Sequence, residues 1–251
     1  MPVNNIYSQV ILSRKYAHLY APLIMRVCRE EYAKHKKDKD RVKAVKNKLH
    51  MIYGAFVGDD WHRRAEALIN SGDFAEVMRL HASTDERLGA VGEFYGFIFD
   101  TVGAAESILD IACGFNPFAL EYMPGIKKYH ALDIDCRAAG LINLYFRALK
   151  LPELAGCIDI IAETPRDCAD VAFMFKLMPV IEAQAAGRAF GLLREINAAH
   201  IVVTYPVKSL GGREKGMRAN YARTFEAGLG DNFKIAAQAI IGSELVYVIK
   251  K

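Results

Sequence analysis

The stretch Ser107-Ile-Leu-Asp-Ile-Ala-Cys-Gly-Phe-Asn-Pro117 runs an apolar strand straight into a small-residue turn and then a helix start. Gly114 allows close approach of the main chain to a ligand. Asn116 carries the side chain of a helix cap, and Pro117 brings a preset φ to the first helical turn. Downstream, Tyr129-His-Ala-Leu-Asp-Ile-Asp135 reads as a second strand ending in carboxylates. In open α/β sheets a ligand lies across the carboxyl ends of the strands, with an acidic residue on its ribose hydroxyls. The two segments together predict a site for a nucleotide-like cofactor; a plain strand-to-helix turn is the competing reading of the first segment taken alone. Its single glycine departs from the Gly-x-Gly-x-x-Gly that cradles a pyrophosphate, which points to a cofactor without phosphates.

Working outward, strands alternate with helices beyond Thr101, near 107–112, 128–134, 157–162, 170–177, 200–206, 232–241 and 244–250. Alternation predicts a mainly parallel sheet, and the last two strands, separated by Gly242-Ser243, form an antiparallel hairpin. Six parallel strands and one antiparallel make the α/β, Rossmann-like sheet of S-adenosylmethionine-dependent methyltransferases, whose cofactor lacks phosphate. From Asn5 to about Thr101 the apolar spacing is helical, as in Val10, Ile11, Tyr16 and Leu19, then Leu23, Val27 and Tyr32. A helix is predicted over 38–56, with Val42, Val45, Leu49 and Ile52 on one side and lysines on the other. Shorter helices follow at 61–70 and 73–80, and Ser83-Thr-Asp-Glu86 has capping-box spacing for a helix reaching Phe99. The expected organisation is an all-helical domain over 1–80 and a methyltransferase domain over 81–251.

The chain has 251 residues, 52% of them apolar, enough for one large domain or a medium one with an appendage. Five cysteines without a Cys-x-x-Cys pair argue against a disulfide framework or a metal site and for a reduced, cytoplasmic setting. The start has no basic segment followed by an apolar core, and no apolar run approaches the roughly 20 residues of a spanning helix, so neither export nor a membrane role is expected. Net charge is +4, yet residues 1–50 hold 12 Lys/Arg against 4 Asp/Glu. The cluster Lys34, Lys36, Lys37, Lys39, Arg41, Lys43, Lys46 and Lys48 reads as a polyanion-binding surface, nucleic acid first; a solvated helix face is the bland alternative.

Three further features carry chemistry. Arg87, in the first turn of the helix expected from Ser83, opposes the macrodipole and therefore asks for an anion, either a ligand carboxylate or a nearby acid such as Asp110. Lys176, at the end of the fourth strand, either touches the target nucleotide or pairs with an acid. The glycine- and cation-rich loop from Tyr205 to Met217 leaves the cofactor edge of the sheet and reads as an RNA-facing lid, against an ordinary surface loop.

The motifs His81-Ala-Ser-Thr-x-Glu-Arg-Leu88, Leu109-Asp-Ile-Ala-Cys-Gly-x-Asn-Pro117, Phe175-Lys-Leu-Met-Pro179 and Ser209-Leu-Gly-Gly-Arg-x-Lys-Gly-Met217 occur in this order. Together they closely resemble the aminoglycoside-resistance 16S rRNA methyltransferases that modify N7 of guanine 1405. The likeness spans nearly the whole chain, including Leu49-His50, Gly54-Ala55 and Ile241-Gly-x-Glu-Leu-x-Tyr-x-Ile-Lys250. It implies S-adenosylmethionine as cofactor and, as partner, the 30S subunit at the helix 44 decoding region, with no membrane or DNA. Phe56, His81, Ala82, Ser83 and Arg87 would line the methionine side. Ala112 and Gly114 would approach through backbone, next to Asp110; Asp133 would hold the ribose, and Phe175 and Gln184 would complete the pocket. The segment 163–168 is shorter than in the resembling proteins, which leaves Glu163 as the adenine contact. Lys36, Lys37, Lys43, Lys46, Lys176, Lys208, Ser209, Arg213, Lys215 and Met217 would face RNA. No general base and no metal are expected. Two alternatives stay open: a methyltransferase acting on a small molecule or on adenine N1 of the same rRNA site, and a non-catalytic RNA-binding protein of this fold.

Overall fold

The computed structural model describes residues 2–54, 56–58, 60–207 and 217–251. Its strands are β1 (Ser107–Ile111), β2 (Lys128–Asp133), β3 (Ala155–Cys157), β4 (Cys168–Phe175), β5 (Asn197–Pro206), β6 (Lys234–Ile241) and β7 (Glu244–Lys250). They form one sheet in the order β3-β2-β1-β4-β5-β7-β6. β7 runs antiparallel to both of its neighbours, and β1 to β5 pair in parallel. The helices are α1 (Pro2–Ile11), α2 (Ala21–Lys34), α3 (Asp38–Leu49), α4 (Trp61–Ser71), α5 (Phe74–Arg79), α6 (Ala82–Leu88), α7 (Val91–Val102), α8 (Cys136–Ala148), α9 (Met178–Glu182), α10 (Arg188–Glu195) and α11 (Met217–Leu229). No helix among the described residues is long and apolar enough to cross a membrane.

Strand residues divide by the two-residue period between two cores. Ile108, Val171, Phe173, Val202, Val246 and Val248 face the side covered by α4, α5, α7 and α8. Leu109, Ile111, Ala172, Met174, Ile201, Val203 and Tyr247 face the side covered by α9, α10 and α11. A third core is separate: Ile6, Val10, Leu23, Val27, Val45 and Leu49 close α1, α2 and α3 on one another. α4 and α5, counted with the helical domain on sequence, instead send Trp61, Ala65, Ile69, Val77 and Met78 into the core beneath the sheet.

Four local readings are corrected. The third strand ends at Cys157, where its pairing with Asp133 of β2 ends, and does not continue to 162. Beyond it the Asp159 carbonyl accepts from the N–H groups of Ala162 and Glu163, and its carboxylate accepts from Ile161, so a turn overrides the β propensity of the isoleucines. The helix over 38–56 stops at Leu49 and continues as a π-helical turn, His50–Gly54. The capping box does not start one long helix: His81 precedes α6, Thr84 donates back to the carbonyls of Met78 and His81, and the chain breaks at Gly89-Ala90 before α7. Arg87 therefore stands in the last turn of α6, where the macrodipole favours a cation. Finally, Cys136 and Cys157 form a disulfide with Cα atoms 5.7 Å apart. Cysteine spacing carried no sign of it, because the pairing of β2 with β3 is what brings the start of α8 beside the end of β3.

The helical bundle is fastened to the ends of β2 and β3. Tyr20 N–H donates to the Ile134 carbonyl (2.8 Å), and Cys136 N–H to the His18 carbonyl (3.2 Å). Arg26 of α2 forks onto Asp159 (2.6 and 3.1 Å) and also donates to Glu30 and Gln184. Asp159 is 1% exposed, so removing the guanidinium strands a buried charge. Arg26→Met should lower the unfolding free energy by about 3 kcal/mol, read from urea titration.

Candidate functional site

The sheet order reverses between β1 and β4, and a cavity opens there over the carboxyl ends of β1, β2 and β4. It encloses about 920 Å³ of empty space, part of it open to solvent. Ala112, Gly114, Asp133, Asp135, Phe175 and Lys176 line it from the sheet, while Tyr53, Phe56, Trp61, His81 and Ser83 line it from the helical side. The backbone that meets it is strained: Ala112 (φ 57°) and Lys176 (φ 54°) both adopt the left-handed region although neither is glycine. Lys176 is held in place because its N–H reaches both the carbonyl (3.1 Å) and the hydroxyl (3.0 Å) of Thr204.

Gly114, also left-handed (φ +49°), cannot be replaced without cost, since a Cβ there would stand 3.0 Å from the His81 ring. That ring stacks on Phe56 with centroids 5.8 Å apart and planes within 7°. Burial, helped by the nearby Arg87 and Lys176 charges, pushes the His81 pKa down to about 4, and its Nδ1 is buried without a hydrogen-bond partner. Asp133 accepts from Gly114 N–H (2.9 Å) through one oxygen and from the N–H groups of Ile134 (2.7 Å) and Asp135 (3.1 Å) through the other. This ties the turn after β1 to the end of β2. The oxygen bonded to Gly114 keeps a second lone pair, so a hydroxyl donor can still be accepted there.

Of the residues singled out on sequence, Phe56, His81, Ser83, Ala112, Gly114, Asp133, Phe175, Lys176 and Gln184 line this one cavity. Ala82, Arg87, Asp110 and Glu163 do not. Arg87 is 3% exposed and sits behind Phe175, with its guanidinium 4.8 Å from that ring and 4.5 Å from Phe94. Its anion is Glu244, met through Nε (2.9 Å) and Nη2 (3.1 Å), while Nη1 donates to Asn116 (2.7 Å). Asn116 passes the network on to Asp110, which also accepts from the Tyr129 hydroxyl (2.7 Å) and whose pKa burial raises to about 7. Lys176 pairs with Glu86 (2.5 Å) and lies 3.5 Å from Glu244.

Sequence reasoning missed Glu244, which lies 157 positions from Arg87; its place in the Ile241–Lys250 motif was the only signal. It also missed Asp159 and Ile160, which reach the cavity because the chain turns after β3, whereas Glu163 falls beyond that turn. On the basic face, Lys36, Lys37 and Lys43 are exposed and Lys46 is half-buried, and none of the four forms an ion pair with a described residue. Lys34, Arg41 and Lys48 are instead engaged by Glu31, Asp38 and Glu30. Lys208, Ser209, Arg213 and Lys215 lie outside the described residues, and Met217 opens α11.

Because His81 is neutral in the fold, the stability it contributes is complete above its ordinary pKa of 6.5 and is lost as pH falls from there toward 4. The thermal midpoint of the wild type should therefore fall more steeply across that window than the midpoint of His81→Phe, as read by calorimetry.

The chain matches the family model described as ribosomal RNA methyltransferase (FmrO) over residues 12–248. It is 38% identical over 251 residues to the 16S rRNA (guanine(1405)-N(7))-methyltransferase of Serratia marcescens, covering 100% of this chain and 99% of the relative. A protein of the same name from Micromonospora echinospora is 32% identical over 266 residues, covering 99% of this chain and 97% of the relative. The crystal structure of the 16S rRNA methyltransferase RmtF in complex with S-adenosyl-L-homocysteine superposes with a TM-score of 0.92 at 34% identity, covering 99% of this chain and 98% of that one. The structure of the 16S rRNA methylase RmtB gives 0.87 at 34% identity, again over 99% and 98%. A family match that runs from the helical bundle through every strand of the sheet leaves one conclusion: this chain belongs to the FmrO family of ribosomal RNA methyltransferases.

Proposed function

We propose that this protein methylates N7 of guanine 1405 in the helix 44 decoding region of 16S rRNA, within the 30S subunit, using S-adenosylmethionine, and that the modification confers aminoglycoside resistance. The observation that carries the reading is the cradle at the end of β1, where Ala112 and Gly114 adopt left-handed backbone opposite His81 and beside Asp133. The residues present suit an adenosyl sulfonium. A Cβ at 114 would fill the cradle, the buried His81 Nδ1 lacks a partner, Asp133 and Asp159 offer acceptors, and Phe56 and Phe175 line the cavity with apolar rings.

When bound, S-adenosylmethionine supplies an electrophilic methyl group carried on sulfur. Purine N7 has an in-plane lone pair and no proton to lose, so the chain needs no general base. What its residues contribute is orientation, for which roughly 7 to 11 kcal/mol is available in favourable cases. His81, kept neutral by burial, adds no positive charge to the wall that meets a sulfonium. Arg87 and Asp110 take supporting roles in this reading, since both lie behind the cavity wall; Arg87 reaches a ligand carboxylate only by giving up Glu244. Lys176 stands at the cavity, and in this reading it contacts the target nucleotide together with Lys208, Ser209, Arg213, Lys215 and Met217, which follow β5 in sequence.

Turning a stacked guanine outward costs a few kcal/mol, which contacts to RNA phosphates must offset. Exposed Lys36, Lys37 and Lys43 and half-buried Lys46, none of them in an ion pair with a described residue, are the groups that would make them, on folded rRNA recognised mainly by shape.

Gly114→Ala should weaken S-adenosylhomocysteine binding by about tenfold or more in calorimetry, a cost near 1.4 kcal/mol. Asp133→Ala should remove the N7-methylguanine signal that borohydride and aniline cleavage expose in 16S rRNA after expression; a wild-type signal at another nucleotide, such as an adenine N1, would overturn the assignment of position. Lys43→Ala and Lys46→Ala should weaken 30S binding and flatten its logarithmic salt dependence by about one unit per lost contact, with cofactor affinity unchanged.

A further inference from the structure

Two stretches of chain build one wall of the cavity at the carboxyl edge of the sheet. Asp133, Ile134, Asp135 and Ala138 come from the end of β2 and the start of α8, and Asp159, Ile160 and Ile161 from the turn after β3. The Cys136–Cys157 disulfide joins the two stretches. Neither cysteine lines the cavity, so the bond acts on the wall and not on a ligand directly.

The noncovalent attachment at this place is thin. β3 is an edge strand that pairs with β2 over three residues, and the pairing stops at Asp133 and Cys157. One further hydrogen bond, from Ile158 N–H to the Asp133 carbonyl (3.0 Å), precedes the turn that carries Asp159. Asn143 of α8 exchanges hydrogen bonds with both backbone groups of Ala155 (2.9 Å each), so α8 and β3 stay together without the disulfide. Reduction therefore leaves the fold in place and frees the ends that face the cavity.

Cys136 is exposed and Cys157 half-buried, which opens the bond to thiol–disulfide exchange. Cys28 and Cys113 are buried, and Cys168, exposed at the start of β4, lies at the amino edge of the sheet, away from the cavity. Disulfides are rare where thioredoxin and small thiols keep cysteines reduced, the setting in which ribosomal RNA is made; those that form there are transient and either catalytic or redox-sensing. A pair that lines no cavity belongs to the second kind.

We infer that Cys136 and Cys157 are a reversible dithiol–disulfide couple that sets how tightly the cavity holds its cofactor, more tightly when oxidised. The inference rests on the reading of that cavity as the S-adenosylmethionine site. The oxidant is a low-molecular-weight disulfide such as glutathione disulfide. The Cys136 thiolate attacks one of its sulfurs and expels a glutathione thiolate; the Cys157 thiolate then attacks the Cys136 sulfur of the mixed disulfide and expels the second. Two cysteine thiols are oxidised, one glutathione disulfide is reduced to two glutathiones, and the two thiol protons pass to the departing thiolates. Oxidation strengthens binding because Asp133, Asp135 and Asp159 are then held in position before the ligand arrives, which lowers the ordering cost of association.

The test compares the full chain in dithiothreitol and in glutathione disulfide, for wild type, Cys136→Ser, Cys157→Ser and Cys168→Ser. Mass spectrometry of non-reduced peptides should find the Cys136–Cys157 link in oxidised wild type and Cys168→Ser. Calorimetry should give a Kd for S-adenosylhomocysteine about fivefold lower in those oxidised samples than in their reduced counterparts, with no redox dependence in Cys136→Ser or Cys157→Ser. Without ligand, backbone hydrogen exchange over 133–138 and 157–163 should slow on oxidation in wild type and Cys168→Ser alone.

If glutathione adds to Cys136 or Cys168 and no linked peptide forms, the couple is refuted. If the link forms but Kd and exchange stay within about twofold, the bridge is structural only and the inference is overturned. Failure of S-adenosylhomocysteine to bind in either redox state would overturn the cofactor reading and the inference with it, and the exchange comparison on the unliganded chain would then show whether the disulfide nonetheless stiffens the wall.

Discussion

The buried Arg87–Glu244 ion pair is the interaction on which the working half of the molecule turns. Glu244 begins β7, accepts from the Thr204 hydroxyl of β5 (2.6 Å) and lies 3.5 Å from Lys176 at the end of β4; Arg87 comes from the helix that carries Ser83 and follows His81. Through Asn116 the same guanidinium reaches the turn after β1. Five pieces of chain are thereby fixed relative to one another at the carboxyl edge of the sheet. A buried ion pair is weak evidence of net stability, because desolvating both charges costs about as much as their attraction returns. Its contribution here is positional: an alternative packing would leave a guanidinium or a carboxylate unpaired at 2% exposure or less.

Carboxylates also join the helical bundle to the catalytic half. Arg26 of α2 holds Asp159, and His18 and Tyr53 hold Asp135, and both aspartates line the cavity at the carboxyl edge of the sheet. The bundle is therefore more than an appendage for docking, since it supplies part of the wall and orients acids on the other side. This arrangement accounts for a cavity whose lining alternates between the two regions, with Leu23, Ile52 and Tyr53 facing Asp133, Ile160 and Ile161. It also separates the cations of the basic region into two kinds. Arg26, Lys34, Arg41 and Lys48 are committed to internal acids, whereas Lys36, Lys37 and Lys43 remain exposed and free of ion pairs with described residues.

Of the four non-glycine residues with left-handed φ among the described residues, Ala112 and Lys176 stand at the cavity and Asp60 and Lys150 do not. Left-handed conformations at Ala112 and Lys176 each cost of order 1–3 kcal/mol and persist because strands and hydrogen bonds on either side leave no alternative. The carbonyl and hydroxyl of Thr204 restrain one, and the pairing of β1 between β2 and β4 restrains the other.

What the sequence determined by itself was whatever depends on near neighbours. The β-rich runs that alternate with helices after Thr101 announced seven strands, the Gly242-Ser243 link announced the closing hairpin, and the small-residue turn at 112–114 announced a backbone-lined site, because propensity, turn and φ are set within a few residues. Tertiary structure alone decided the partner of Arg87, the exchange of Glu163 for Asp159 at the cavity, the Cys136–Cys157 bridge and the break at Gly89. Each of these depends on groups brought together by sheet order and helix packing, or on a local turn prevailing over propensity. A charge asks for a counter-charge, but only the folded chain decides which one stands within 3 Å.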